Sequence, residues 1–570
     1  MSAHAANLLS KLSGYSIPSQ ADPEDINSHP IALRYYAVEG EAMLIGSQSN
    51  GKDEMNRPGN YFVHSVVGSP EEIASYLAPI FYWGSPFWVS QDESNQTELP
   101  ILSEFDVEVT LDFDDLWTFL QQGKRRQWFY SLLCAVMDYH QSQRKIVILD
   151  HNESVAFWIA AVSTALPLRY SRYLTFATYH HDPYSAPFII TGTTADSSFR
   201  FTNDEYISYF VLNALEGRIS EAPDSDYAQF ICSRFEPEGY EGEILDFFDW
   251  GERFEMESHS ITRKLDSLSV FWLATVKNAL DINSDKVIRA GEVVIQEISQ
   301  KSHLESEDVE DANHGWEILG DAIIQRPSQE LIENYCLALK TLKRSDPQFP
   351  QTCVGSFYIL AMLVLNKRQE EAHALDSVLK QLYSQDVLAS TLQQPKLIQM
   401  LAEQLRVDDE EQVLIFWDYL GSKLRLHENN KEYFKTLLGK TFAVLQRQGT
   451  GDIFQVPESA TKIISLLLAA RGLTADLILN HAAESERQYP VVLRWVYYSL
   501  VQQVPINQRP ARYWSYWPTW PQSTPLYQYE LQRDLLASGG TSQAINVVFM
   551  WTEVIQPQYR PNILSEALDF

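Results

Sequence analysis

From Ile261 onward the chain is written in one period. Apolar residues recur near every 3.6 positions in "ITRKLDSLSVFWLATVKNAL", "PSQELIENYCLALKTLKR", "CVGSFYILAMLVLNKRQEEAHALDSVLKQL" and "EEQVLIFWDYLGSKLRL". That is the spacing of helices that bury one face. Breaks at Asp346-Pro347, Asp408-Asp409 and Gly449–Gly451 separate them. No fixed-period repeat consensus is present. Helices packed one after another over 263–570 are most simply an irregular, solenoid-like all-α domain, and such arrays mostly bind proteins. With 570 residues in all, the rest of the chain must form further domains.

Upstream the period changes. "IALRYYAV", "EAMLIGSQS" and "YFVHSVV" are short runs of strand formers. Ser69-Pro70-Glu71-Glu72 reads as a helix start, with Ser69 as N-cap and Glu72 at the capping-box position. These elements predict an α+β module with an antiparallel sheet over 29–122, behind a polar, mobile leader at 1–28. Next, "KIVILD" reads as a strand buried on both faces. Asp150 and Glu153 suggest a capping box for the helix "SVAFWIAAVSTAL", and "RYLTFATY" and "APFIITGT" read as further strands. Strand, helix, strand predicts a small, mostly parallel α/β (βαβ) domain over 123–262. It ends in an acidic linker, 236–257, with nine carboxylates and one Arg. The fold class is thus multidomain α+β with a long helical tail.

Charge and composition restrict function. A net charge of −31 repels nucleic acid and anionic lipid, so a broad phosphate-backbone binder is excluded. The densest basic patch is Lys124, Arg125 and Arg126. The four Cys (Cys134, Cys232, Cys336, Cys353) show no CxxC spacing, which excludes a zinc ribbon and suits buried thiols in a reducing cytosol. No signal peptide and no membrane-spanning run is visible, so the expected location is the cytoplasm.

No catalytic motif is complete. "LGKT" at Leu438–Thr441 lacks the first glycine of a phosphate loop, where Phe434 stands, and it falls inside a helical pattern. His180-His181-Asp182 is a weak metal candidate: adjacent His on a strand point to opposite faces, and only a loop would let them converge. Asp150 ends a strand ahead of a helix, where open α/β sheets bind ligands. Trp514, Trp517 and Trp520 are either a docking surface or a packing loop. In "NRPGNYFVHSVVGSPEEI", Pro58-Gly59 suits a type II turn. Phe62, His64 and Val66 share one strand face and Tyr61, Val63, Ser65 and Val67 the other. His64 is either a packed, hydrogen-bonded His or, with Arg57 or Arg34 nearby, part of a site.

These residues resemble a known family. "SNGKDEMNRPGNYFVHSVV" is similar to the N-terminal module of the bacterial GTPase-associated proteins, with Gly59, Asn60, Phe62 and His64 matching and Arg57 ahead. "KIVILDHNESVAFWIAAVSTALPLRYSRYLTFATYHHDP" resembles the family's middle module, and the helical remainder would be its C-terminal module. The resemblance implies a companion of a GTPase in an NTP-dependent bacterial conflict or antiphage defence system. It implies no established catalysis and no cofactor. It marks Arg57, Gly59, Asn60, His64, Asp150, Thr178, Tyr179 and Asp182 as site candidates. Three readings follow: an adaptor that binds a GTPase and couples it to other components; an enzyme with a nucleotide- or nucleic-acid-directed site in either of the first two modules; or a self-assembling scaffold.

Overall fold

The structure, a computed structural model, describes residues 3–496 apart from 23–24, 39, 53–54, 56–58, 92–101, 103–107, 255–260, 346–349, 422, 425, 427, 449–456, 471–472, 474, 486–487, 490 and 493–494. Two compact units divide it, Met1–His303 and Leu304–Phe570.

The first unit is built on one mixed sheet. Its strands are β1 (Ala32–Val38), β2 (Glu41–Ser49), β3 (Tyr61–Gly68), β4 (Ile146–Leu149), β5 (Phe176–Ala177), β6 (Ile190–Thr193), β7 (Phe210–Asn213) and β8 (Arg218–Ile219). Their order is β3-β2-β1-β5-β6-β4-β7-β8. β1, β2 and β3 form the expected antiparallel meander, in register from Ala32 opposite Ser47 and from Ser49 opposite Tyr61. β4 through β7 pair in parallel, each of β4's four residues buried, as its unbroken apolar run requires. β1 and β5 join the two sets antiparallel, Arg34 opposite Ala177 and Tyr35 opposite Phe176. One sheet therefore runs through both of the first two modules.

The segment read as a mobile leader holds a helix. Ala3–Leu12 is a helix, and Leu12 is buried with Met43, Ile45, Ala177 and Phe188 while Leu8 and Leu9 pack beside it. The polar composition and Pro18 obscure the short apolar stripe Leu8, Leu12, Tyr15 that docks it. The Ser69 capping box is present as read, with Ser69 Oγ accepting from Glu72 N and Glu72 Oε2 accepting from Ser69 N, but the helix it starts is a single turn, Pro70–Ile73. The suggested Asp150–Glu153 box is not formed: His151 occupies the N-cap of the helix Asn152–Thr164, with no side-chain cap bond. The acidic stretch is helical through Gly251. After it, the helices Ile261–Thr275 and Asp285–Gln300 still belong to the first unit. Asp266 accepts bonds from Ser225 Oγ and Tyr227 N, and Trp272 packs on Phe230.

The second unit is helical from Ser306–Gln325 through Ala475–Glu484, and its successive helices pack on a shared Leu-rich core. "LGKT" lies inside the helix Lys431–Gln448. Thr441 Oγ1 donates to Leu437 O and accepts from Trp417 Nε1, while Lys440 Nζ is spent on the carbonyls of Glu403 and Leu405. Both groups that would hold phosphate have other employment. No described helix is long and apolar enough to cross a membrane.

Candidate functional site

The family-like positions converge on the junction of β1 and β5 and on the outer strand β3. Gly59 has φ +92°, a left-handed conformation that favours glycine. Gly59 N and Asn60 N both donate to Gly51 O, and Asn60 O accepts from Asn50 N, which closes the loop onto the end of β2. Arg57 and Pro58 lie outside the described residues.

His64 sits on β3 opposite Gly46 of β2. Its ring stacks on Phe87, with centroids 4.8 Å apart, and meets the edge of Trp88 at 5.5 Å. Nδ1 accepts a long bond from Val89 N at 3.4 Å. Burial lowers its pKa, which favours the neutral imidazole. Gly46 makes the seat: a Cβ there would lie 2.6 Å from Trp88 Cε3. The aromatic loop is pinned further by Trp88 Nε1 donating to Tyr82 O at 2.5 Å. All the described contacts of His64 are those of a packed residue.

The middle-module positions stitch the sheet together. Thr178 Oγ1 accepts from Leu33 N at 2.9 Å and donates to Ile31 O, extending the β1–β5 ladder with a side chain. Asn152 Oδ1 accepts from Ile31 N. Tyr179 is 1% exposed, donates to Ser16 O and packs on Tyr15 at 5.8 Å. Asp150, at the end of β4, turns its carboxylate inward: it accepts from His151 N at 2.8 Å and from Trp158 Nε1 at 2.9 Å.

Arg34, which the sequence offers only as a possible neighbour of His64, lies at the centre of this junction. It is 1% exposed, donates to Ser47 Oγ at 2.9 Å and to Leu12 O at 3.3 Å, and its Nε has no partner among the described residues. Tyr15, Tyr61 and Tyr179 surround it, and burial lowers its pKa to about 10. Leu12 O ends the N-terminal helix, so the cation also meets the negative end of that helix dipole. An Arg at a strand centre is the signal that sequence offered.

His180 and His181 lie in the loop after β5. His180 Nδ1 accepts from Asp182 N at 3.2 Å, and burial, aided by the Arg34 charge, lowers its pKa to about 4. Asp182 accepts from Ser198 Oγ at 2.7 Å, a bond that holds its pKa below the usual carboxylate range. Among the described residues no group of three His, Cys, Asp or Glu side chains is placed to hold a metal ion. The basic patch is also engaged: Arg125 binds Phe119 O and Gln122 Oε1, and Arg126 binds Cys232 O. An apolar cleft of about 420 Å³ opens between Phe81, Leu111, Phe113, Leu166, Tyr240 and Phe248, a site the sequence did not reveal. Trp514, Trp517 and Trp520 lie outside the described residues.

Comparison with known proteins matches the two halves of this sheet to two domains of one family. Residues 1–105 match GTPase-associated protein 1, N-terminal domain type 2, and residues 116–216 match GTPase-associated protein 1, middle domain. Over these two segments the chain carries domains of the GTPase-associated protein family. The β1–β5 junction is thus the seam between the family's two domains. A protein of Mycolicibacterium smegmatis named for ESX-1 scaffolding and assembly, SaeB, is 25% identical over 169 residues, in each of two strains. The match covers 29% of this chain and 21% of that protein, so the chain spans about a fifth of its relative's length. No solved structure matches.

Proposed function

We propose that this GTPase-associated protein is an adaptor that binds a partner GTPase and couples its nucleotide state to further components of a bacterial conflict or defence system. The observation that carries the reading is the joining of two GTPase-associated domains in one sheet, in a chain that also holds a long run of packed helices. The residues that looked most like chemistry support it. Asp150, Thr178 and Tyr179 have their polar groups engaged by neighbours in the fold, and His64 is stacked between aromatics. Likeness to a protein named for scaffolding and assembly points the same way.

The test is co-purification of the full chain with candidate GTPases of its own cell, each loaded with GDP or with a non-hydrolysable GTP analogue. A complex whose affinity differs at least tenfold between the two states, about 1.4 kcal/mol of coupling, is expected. Absence of a complex in both states sinks the reading. Turnover of nucleotide by the chain alone, lost in His64→Ala, would favour an enzyme instead.

A further inference from the structure

The two edges of the sheet are finished differently. β8 is two residues long, and its Arg218 is folded back over Tyr206 and bonded to Asn203. A short, charged strand is how an edge is protected from adventitious pairing. β3 has none of this. It is eight residues long, Tyr61–Gly68, and contains no charge and no proline. It pairs with β2 along its whole length, and its other edge has no backbone partner among the described residues. In an antiparallel strand every second residue turns its N–H and C=O outward, so this edge presents a row of open donors and acceptors at strand spacing.

This edge is also held rigid. Val63 and Val67 pack into the core beneath the N-terminal helix. On the opposite face His64 is clamped by Phe87 and Trp88. The loop before the strand is closed onto Gly51, and the turn after it is fixed by the Ser69 capping box. A strand ordered from both faces loses little further entropy when a second strand joins it.

We infer that β3 is a docking edge to which an extended segment of a partner protein adds as a ninth strand. Main-chain hydrogen bonds supply the affinity of such additions, and alternate side chains supply the specificity. The middle of the incoming segment is uncharged and rich in β-branched or aromatic residues, matching Phe62, Val63, Val66 and Val67. The flank beside the C-terminal end of β3 is basic, because the strand runs into Glu71 and Glu72 and the chain as a whole carries −31. The same charge argues against a second copy as occupant, since that would bring two strongly acidic chains together. The inference does not require the partner to be a GTPase.

The experiment pans a random ten-residue peptide display library on the immobilised full chain, with proline variants as counter-targets. Ser65→Pro and Val66→Pro together sample both amide directions: one removes an outward N–H and spares the ladder to β2. The informative variant is the one with a wild-type melting curve; if neither folds, Ser65→Lys sets a cation against the apolar middle of the segment. Expected are peptides of alternating β-branched and aromatic residues with Lys or Arg at one end, binding the wild type at least tenfold more tightly than the folded variant. No enrichment, or equal binding to both, overturns the inference. So does a concentration-dependent dimer in sedimentation that the variant abolishes, which would make a second copy the occupant. Peptide binding at β3 without a GTPase complex would refute only the proposed function.

Discussion

His180 is a residue whose environment sets a measurable property. It lies half-buried beside the fully buried Arg34, with His181 and Asp182 next to it, and its pKa falls to about 4. The unfolded chain binds its proton near pH 6.5, so the unfolded state holds more protons between pH 6.5 and 4, and stability falls as pH drops through that window. A shift of this size corresponds to at most about 3 kcal/mol. His180→Asn, which keeps an acceptor for Asp182 N, is expected to flatten the acid limb of a urea-midpoint-versus-pH curve; an unchanged limb would assign it to other groups. Arg34 is the complementary case. Arg34→Met removes the cap from Leu12 O and the bond to Ser47 Oγ, with an expected loss of about 2–3 kcal/mol. Amide exchange should rise first in Ala3–Leu12. Sequence identified these two residues to different degrees. Adjacent His180 and His181 would point to opposite faces on a strand, but they follow β5 in a loop, which their spacing does not mark. The burial of Arg34 depended on the N-terminal segment folding over it, a long-range event with no local mark.

At the scale of elements, the seam between β1 and β5 is narrow. Its backbone register comprises two residue pairs, and side chains complete it: Thr178, Asn152 and Tyr35, whose hydroxyl donates to Arg172 O. Thr178→Val keeps the shape and strands Leu33 N without an acceptor. About 1–2 kcal/mol should be lost in the denaturation midpoint, with faster amide exchange in β1 than in β2. An unchanged midpoint would mean the hydroxyl is dispensable to the seam. β1, β2, β3 and β4 were legible because their runs are long or uniformly apolar. β5 shrinks to two residues within the predicted Arg172–Tyr179 strand: at Thr178 the backbone N–H still donates to Leu33 O, but the return bond from Leu33 N goes to the Thr178 hydroxyl. The helix Ala3–Leu12 was missed for the opposite reason: its stability comes from docking on Met43, Ile45 and Phe188 rather than from local propensity.

For the whole molecule, the acidic run at 236–257 made a boundary near 260 attractive, since carboxylate-rich segments often link domains. That run also contains Phe247, Phe248 and Trp250, and the inward ones carry it: Phe247 packs on Phe230 and Trp272, and Trp250 stacks on Phe271. Its charges face outward along a helix whose aromatic side is buried. The helices Ile261–Thr275 and Asp285–Gln300 therefore complete the first unit's core, with Lys264 paired to Glu297 between them at 2.8 Å. A fragment ending at residue 303 should be soluble and melt in one cooperative transition. A fragment ending at 262 removes Trp272, Phe271 and the Asp266 bonds to Ser225 and Tyr227, and exposes the apolar side of the acidic helix. Several kcal/mol lost from a unit of this size predict a melting temperature lower by about 10 °C or more, or aggregation on expression. Equal melting of the two fragments would place the boundary where the charge run first suggested it, and would assign the two later helices to the helical domain.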